Sequence, residues 1–211
     1  MSQDLNPTKA YIFRITHIGN IERVLADGCY CRTTGMRKAK YVEIGNQELI
    51  DKRNSRSVPI PPGGTLSDYV PFYFTPYTPM LYNIKTGLGV PKKPIDEIVI
   101  LVSSIHRLVA LNIPFVFTDR HAYLKTARFS SDPADLGSWI IWPVLQVRDF
   151  KRDDLDKFEK YQAEALVHEH VPLNALSAIL CYNDSARIAV QGKADALGVA
   201  PRTLTLPRWF L

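Results

Sequence analysis

Short runs of apolar residues, rather than long amphipathic repeats, dominate the hydrophobic pattern of this chain. Six segments have the length and the β-branched or aromatic content of strands: residues 10–16, 69–74, 98–103, 115–118, 179–182 and 203–206. Pro71 lies inside the second segment, and because proline has no backbone N–H, it favours an edge or a bulge there. The pattern therefore predicts several short strands, one of them interrupted in its pairing.

Helical periodicity is confined to short segments between these strands. Residues 20–27 place three apolar side chains on one face, with Asn20 as a possible N-cap and Gly28 at the end. Other helices are predicted after Ser104, over 153–163, after Pro172 and over 183–197. Since the order shows no regular βαβ rhythm and no Gly-x-Gly-x-x-Gly motif, it predicts an α+β fold and not a Rossmann domain.

Residues 32–56 form a stretch without an apolar period. It contains seven Lys or Arg residues and three acidic residues, a composition that is more typical of a functional loop than of a packed element. The segment that follows, Val58–Gly64, reads Val-Pro-Ile-Pro-Pro-Gly-Gly and cannot continue a helix.

Length and composition favour one domain over residues 1–211. No apolar run approaches the roughly 20 residues that span a bilayer, and Met1–Lys9 is too polar for a secretory signal, so we expect a cytoplasmic protein without membrane attachment. Cys29 and Cys31 are too close for a good disulfide, and no Cys/His group has zinc spacing. The sequence thus predicts reduced thiols, no metal and, with nothing to require otherwise, a monomer.

The charge balance permits an anionic partner, because 26 Lys and Arg residues stand against 21 Asp and Glu residues, giving +5. Cations in predicted loops alternate with aromatic residues such as Tyr41, Tyr123 and Phe129. Charges for phosphates and rings for exposed bases are what a single-stranded nucleic acid requires. Scattered Lys and Arg are also usual on any protein surface, so both interpretations stay open at this point.

Individual residues with useful chemistry each have an ordinary explanation as well. Glu164 is a lone acid before an apolar run, either a general base or a solvated carboxylate. Arg53 could stabilise phosphate or a developing negative charge, or lie on the surface. His17 and His121 could transfer protons or be hydrogen-bonded structurally, and Tyr73 could stack on a base or pack in the core.

Seven segments form a distinctive series along the chain: Arg14–Asn20, Lys52–Asn54, Val58–Gly64, Asp68–Phe74, Thr78–Tyr82, Phe115–His121 and Gln162–Val167. Together they resemble the DarT family, the DNA ADP-ribosyltransferase toxins of bacterial DarT–DarG toxin–antitoxin pairs. The similarity extends from about residue 10 to the C-terminus. Its most specific part is Tyr-Val-Pro-Phe-Tyr-Phe followed by Pro-Met-Leu.

The resemblance implies an ADP-ribosyltransferase fold related to the poly(ADP-ribose) polymerases, with two small packed sheets and an NAD cleft between them. It implies that NAD is the co-substrate, that ADP-ribose is transferred to a base in single-stranded DNA, that nicotinamide is released and that no metal is needed. Thymine is the favoured base and guanine the alternative. The implied protein partner is DarG, an antitoxin with a macrodomain.

The resemblance also implies roles for individual residues. Glu164 would stabilise an oxocarbenium-like state and assist proton removal, and Arg53 would polarise the base. The implied NAD-binding residues are Arg14, Thr16, His17, Asn20, Arg53, Tyr73 and Met80, and the implied DNA contacts are Lys40, Arg56, Arg120 and His121. Arg14 stands where some relatives have histidine, so that histidine's role is not transferred.

Two features leave alternatives. Periodicity before Glu164 suggests a helix, whereas the family places this residue at the start of a strand, and the alternation over 162–167 agrees with the family. The alternative functions are a non-catalytic single-stranded nucleic-acid-binding module, or an ADP-ribosyltransferase that acts on RNA or protein. Consumption of NAD would separate the binding module from the enzymes.

Overall fold

The computed structural model describes residues 4–34 and 41–210. Within them lie ten strands: β1 (Tyr11–His17), β2 (Cys29–Tyr30), β3 (Tyr69–Tyr73), β4 (Ile98–Ser104), β5 (Phe115–Thr118), β6 (Phe129–Ser130), β7 (Glu164–His168), β8 (His170–Val171), β9 (Ala178–Cys181) and β10 (Thr203–Thr205). The helices are α1 (Ile21–Asp27), α2 (Gln47–Lys52), α3 (Pro79–Thr86), α4 (Ile105–Ala110), α5 (Leu136–Trp139), α6 (Trp142–Val147), α7 (Leu155–Tyr161) and α8 (Asp184–Ala196). The fold is α+β, as the sequence predicts.

The main sheet has eight strands in the order β10-β9-β4-β1-β3-β7-β5-β6, and β2 pairs with β8 in a separate small sheet. Strands β1 and β4 pair at seven positions, but β1 and β3 are joined only at Phe13 and Tyr73. The main sheet therefore consists of two four-stranded halves, β10-β9-β4-β1 and β3-β7-β5-β6. The halves are joined at the Phe13–Tyr73 pair and separate on both sides of it. These halves correspond to the two packed sheets that the family resemblance implies.

The β4 segment shows why one half is a rigid support. Its residues are buried from Ile98 through Ser103, as expected for a continuous apolar run in the middle of a sheet covered on both faces. It is flanked by β1 and β9, so no edge of this strand is open. Burial of this kind fixes the position of β1, which carries several of the predicted site residues.

The other half begins at β3, where Pro71 is tolerated because the two halves have separated. Pro71 pairs with Leu166 of β7 but has no partner residue on β1. Its carbonyl instead accepts a hydrogen bond of 2.9 Å from Nη1 of Arg14. The local environment is thus that of an edge, which is what the proline predicts.

Most predicted elements are confirmed, and three details are corrected. Asn20 does not cap α1 with its side chain; it is buried and bonds to Thr16 and to the backbone of Val42. The basic stretch is not entirely loop, because it contains α2, capped by Asn46. The helix predicted after Pro172 is a single 3₁₀ turn. Asn20 has partners distant in sequence, the charges of the basic stretch obscure the Asn46 cap, and Pro172 provides no side-chain cap for a longer helix.

In the described ranges, the structure has no helix long and apolar enough to cross a membrane.

Candidate active site

A cleft opens over the junction at which β1 and β3 part. Six residues with predicted roles line it: Arg14, Arg53, Tyr73, Met80, His121 and Glu164. They come from β1, the turn after α2, β3, α3, the loop after β5 and the first position of β7. The separation of the two halves of the sheet thus brings together residues that are far apart in the sequence.

Glu164 lies at the base of this cleft with 1 % of its surface exposed. The strand assignment taken from the family is correct, since Glu164 is the first residue of β7 and pairs with Tyr73 of β3. Nη1 of Arg53 donates to Glu164 Oε2 at 2.9 Å and to Oε1 at 3.3 Å, and the backbone N–H of Ala122 donates to Oε1 at 3.0 Å. The carboxylate is therefore fixed by a charged group and by a backbone donor.

These contacts determine the ionisation of Glu164. Burial alone would raise the pKa of this carboxyl group, but the positive charge of Arg53, the nearby His121 ring and the Ala122 N–H together lower it below the usual 4.5. Glu164 is consequently a carboxylate at neutral pH. Burial and the charge of Glu164 also raise the pKa of Tyr73, so its phenol keeps its proton.

The His121 ring also contacts the Glu164 carboxylate. Burial lowers the pKa of His121 more strongly than the Glu164 charge raises it, so the ring is neutral at neutral pH and the close contact is not an ion pair. Its Nδ1 lies 3.3 Å from Glu164 Oε1 and 3.2 Å from the backbone nitrogen of Tyr123. The first contact needs a proton on Nδ1 and the second needs a lone pair there, so the two require opposite tautomers.

Two arginines of the cleft have guanidinium donors that are available to a ligand. Arg53 Nη2 and Arg32 Nη1 are buried and have no hydrogen-bond partner in the described part of the chain. A buried unpaired donor costs about 1–3 kcal/mol, so an acceptor from a ligand would be stabilising at both atoms. Phosphate and carbonyl oxygens are acceptors of this kind. The residues present therefore fit an anionic dinucleotide such as NAD.

Arg14 divides the cleft from a smaller pocket behind it. Its Nη2 contacts the Tyr41 hydroxyl at 3.4 Å, and the same hydroxyl lies 3.3 Å from Thr16 Oγ1. Thr16 and Asn20 line the smaller pocket, which shares Arg14 and Tyr41 with the main cleft. Two predicted NAD-binding residues are thus adjacent to the cleft rather than inside it.

His17 is separate from both pockets. Its Nε2 lies 3.0 Å from Glu97 Oε2, and its Nδ1 accepts the Gly19 N–H at 3.0 Å. It lines neither the cleft nor the pocket behind it.

The predicted DNA contacts have several different surroundings. Nη2 of Arg56 donates to the Leu124 carbonyl at 2.9 Å. Nη1 of Arg120 contacts Glu159 at 3.0 Å and Asp156 at 3.2 Å. Both guanidinium groups are therefore engaged with the protein itself, whereas Lys40 lies outside the described residues.

A second groove, which sequence reasoning missed, lies along α3. Met80 of α3 faces the cleft, while Tyr82 of the same helix lines a groove that contains Phe150, Lys151, Arg152 and other residues near α6 and α7. The Arg152 guanidinium stacks over the Phe158 ring at 4.9 Å. Phe150-Lys151-Arg152 is a visible signal in the sequence, but Asp149 and Asp153 on either side make the segment resemble an ordinary charged surface.

Sequence reasoning also missed Arg32 and Tyr41, both of which line the cleft. Both belong to the basic stretch, whose residues could be recognised as functional in general but not individually. As for metals, the residues that the structure describes contain no group of three or more His, Cys, Asp or Glu side chains placed to hold one.

Comparison with known proteins agrees with this geometry. The family model described as "ssDNA thymidine ADP-ribosyltransferase, DarT" matches residues 13–211. The chain is 47 % identical over 193 residues, 90 % of this chain and 88 % of the relative, to a DNA ADP-ribosyl transferase of Escherichia coli O127:H6 (strain E2348/69 / EPEC). A DNA ADP-ribosyl transferase of Thermus sp. (strain 2.9) is 37 % identical over 177 residues, covering 84 % and 83 % of the two chains.

Solved structures show the same similarity in three dimensions. Thermus sp. 2.9 DarT in complex with ADP-ribosylated ssDNA has a TM-score of 0.85 at 30 % identity, covering 98 % of each chain. Its complex with NAD+ has a TM-score of 0.85 at 31 % identity, covering 98 % of this chain and 100 % of that one. Thermosipho africanus DarTG in complex with ADP-ribose, at 21 % identity and a TM-score of 0.71, covers 95 % of this chain and 50 % of that one and shares the fold.

Proposed function

Because the chain belongs to the DarT family, we propose that it transfers ADP-ribose from NAD to a base of single-stranded DNA and releases nicotinamide. The observation that carries this proposal is the buried pair of Arg53 and Glu164 at the base of a cleft with spare cationic donors. A carboxylate held beside a cation can stabilise opposite charges that develop on two reacting partners.

NAD is the proposed co-substrate. The residues proposed to bind it are Arg14, Thr16, His17, Asn20, Arg53, Tyr73 and Met80, to which we add Arg32. Arg14, Arg53, Tyr73 and Met80 support the proposal by lining the main cleft, and Thr16 and Asn20 by lining the adjoining pocket. The unpaired nitrogens of Arg32 and Arg53 would donate hydrogen bonds to oxygen atoms of the ligand. His17 lines neither pocket, so its contact with NAD stays a prediction from the family resemblance.

The reaction breaks the bond between the anomeric carbon of NAD and nicotinamide and forms a bond from that carbon to the base. Glu164, ionised at neutral pH, would accept a hydrogen bond from the ribose and stabilise the positive charge that develops as nicotinamide leaves. Arg53 would stabilise the negative charge on the base as its ring proton departs, with Glu164 assisting the removal of that proton. Thymine is the proposed base, with guanine as the alternative, and no metal is required.

Single-stranded DNA would reach the cleft along the groove beside α3. Lys151, Arg152 and Tyr82 are exposed there, beside the partly buried Phe158 ring. Cations for phosphates and rings for bases support this path. The neutral His121 would contact the base rather than a phosphate, and Lys40, Arg56 and Arg120 stay predictions as DNA contacts.

The cellular setting is a proposal drawn from the family. The protein would be a toxin, act as a monomer in the cytoplasm and have the macrodomain antitoxin DarG as its partner. The Thermosipho africanus DarTG structure shares the fold, which supports testing for such a complex. Mixing the two purified proteins and measuring their joint mass by light scattering is the direct test.

The function is tested by mass spectrometry of an oligonucleotide. Purified protein is incubated with NAD and a mixed-sequence single-stranded DNA, beside Glu164→Ala as the matched variant. We expect one added ADP-ribose with the natural protein and none with the variant, which should still unfold cooperatively. Fragmentation of the product then identifies the base.

The alternatives give different products in the same assay. Intact NAD and an unmodified oligonucleotide at high protein concentration would favour the non-catalytic binding module. NAD that is consumed while DNA remains unlabelled would contradict DNA as acceptor, and parallel incubations with RNA and with protein would identify the true one. Full activity in Glu164→Ala would overturn the role of this carboxylate.

A further inference from the structure

The turn from Thr118 to Leu124 contacts both the backbone and the carboxylate of Glu164. The Thr118 hydroxyl accepts the Glu164 backbone N–H at 3.1 Å and donates to the Arg120 carbonyl at 2.6 Å. The Ala122 N–H donates to Glu164 Oε1 at 3.0 Å. Both the backbone and the carboxylate of Glu164 therefore depend on the conformation of this turn.

Arg56 is the side chain that holds the turn from outside. Its Nη2 donates to the Leu124 carbonyl at 2.9 Å, and its Nε lies 3.5 Å from the Ala122 carbonyl. The two carbonyls lie two residues apart in the turn, and the first belongs to Ala122, the residue whose N–H donates to Glu164. A planar guanidinium that contacts two carbonyls fixes the orientation of the segment between them.

Arg56 lies three residues after Arg53 in the sequence. Arg56 follows the 3₁₀ turn Arg53–Ser55, and its backbone N–H donates to the Arg53 carbonyl at 3.3 Å. The same short segment therefore supplies the cation that pairs with Glu164 and the side chain that holds the turn behind Glu164.

We infer that Arg56 is a positioning residue for Glu164, acting through the Thr118–Leu124 turn, and that this role replaces the DNA contact that the family resemblance implies for it. This inference rests on the proposed function for its kinetic consequence. It explains why a cation of the basic stretch is half-buried and bonded to carbonyl groups, an arrangement that leaves the guanidinium less available to a phosphate. The ordinary alternative, an arginine that contacts DNA, predicts a change in affinity for the oligonucleotide instead.

The kinetic test uses Arg56→Ala, with Arg107→Ala as the matched control. Arg107 also donates its guanidinium to a backbone carbonyl, that of Asn174, but on α4 and outside the cleft. We expect Arg56→Ala to lower kcat about ten- to hundredfold at saturating NAD and oligonucleotide, with the KM for the oligonucleotide unchanged, because misplacement of a reacting group lowers the rate without weakening distant contacts. Arg107→Ala should leave both constants unchanged.

A second measurement follows the Glu164 carboxyl by NMR titration and needs no activity. Arg53, His121, Tyr73 and the Ala122 N–H face this carboxyl group. In Arg56→Ala, Arg53 and Tyr73 remain in place, whereas the Ala122 N–H and the His121 ring, which both lower the pKa of Glu164, belong to the turn that is displaced. The pKa of Glu164 should therefore rise in Arg56→Ala and stay unchanged in Arg107→Ala. Arg56→Lys, which keeps one donor but loses the planar pair, should lie between the natural protein and Arg56→Ala in both measurements.

The outcomes separate the inference from the proposed function. An unchanged kcat with a raised KM for the oligonucleotide would assign Arg56 to DNA binding, and an unchanged Glu164 pKa would overturn the positioning role whatever the kinetics. If Arg56→Ala does not fold, Arg56→Lys carries the same comparison. Failure of the natural protein to modify DNA would overturn the proposed function, while the NMR titration would still decide the role of Arg56.

Discussion

The arginines of the cleft and the cations of the neighbouring groove have opposite surroundings. Arg14 and Arg53 are enclosed, and protein carbonyl, hydroxyl or carboxylate oxygens accept their hydrogen bonds. Lys151 and Arg152 are exposed, and the described residues provide no ion pair for either. The burial and the partners of a cation therefore indicate its role better than its position along the sequence does.

The difference has a physical consequence for function. Charges in a water-excluded cleft interact strongly, so a buried arginine can act on charge that develops during a reaction. Exposed charges are screened by salt and contribute mainly to affinity for a polyanion. We therefore expect variants of the two groups to alter different kinetic constants.

The largest expected effect is that of Arg53→Ala. This change removes the cation that pairs with Glu164 and would stabilise the base, so kcat should fall about 10²–10³-fold. Arg53→Lys should restore little, because an ammonium group cannot replace the two nitrogens that face the carboxylate and the ligand. The amount of modified oligonucleotide formed per minute at saturating substrates is the measurement.

If Arg53→Ala bound the oligonucleotide more weakly but kept its kcat, Arg53 would behave as a surface cation. The distinction between the buried and the exposed cations would then be wrong. Arg202→Ala is a suitable control, because Arg202 is exposed before β10 at the far edge of the sheet.

A smaller effect is expected in the groove, from the double variant Lys151→Ala and Arg152→Ala. Its KM for the oligonucleotide should rise about tenfold while kcat remains unchanged, because the cations lie beside α3 and not among the residues that line the cleft. The dependence of binding on salt should also weaken, by about 0.7 in the logarithmic slope for each phosphate that the variant no longer neutralises. Fluorescence anisotropy at several salt concentrations measures this slope.

The matched control for that variant is the double substitution Arg187→Ala and Lys193→Ala. It removes the same charge from α8, where both side chains form exposed ion pairs that contribute little to stability. An equal loss of affinity in the control would show that net charge, rather than the groove, attracts the DNA.

The sequence predicted those features that depend on local pattern or on a motif. The apolar runs identified six of the eight strands of the main sheet, and the motif around Glu164 placed it at the start of β7 against the competing helical period. The two-residue strand β6 was not predicted. Partners distant in sequence could not be predicted in this way. Asn20 has the character of a helix cap but bonds to Val42, and Arg56 has the character of a surface cation but bonds to Leu124. In each case a side chain satisfies partly buried backbone groups that only the fold brings near.

The smallest expected effect is that of Arg120→Ala, a cation that shares features of the buried and the exposed groups. Arg120 was predicted from the sequence as a DNA contact, yet its side chain is 15 % exposed and bonds to Asp156 and Glu159 of α7. If its role is to join the turn to α7, the free energy of unfolding should fall by about 1 kcal/mol, because its partners are partly exposed, and oligonucleotide affinity should not change. Urea unfolding and anisotropy measure the two quantities. Loss of affinity equal to that of the groove variant would mean that Arg120 leaves its acidic partners for phosphate, and enclosure by the protein would then no longer identify the cations that act away from DNA.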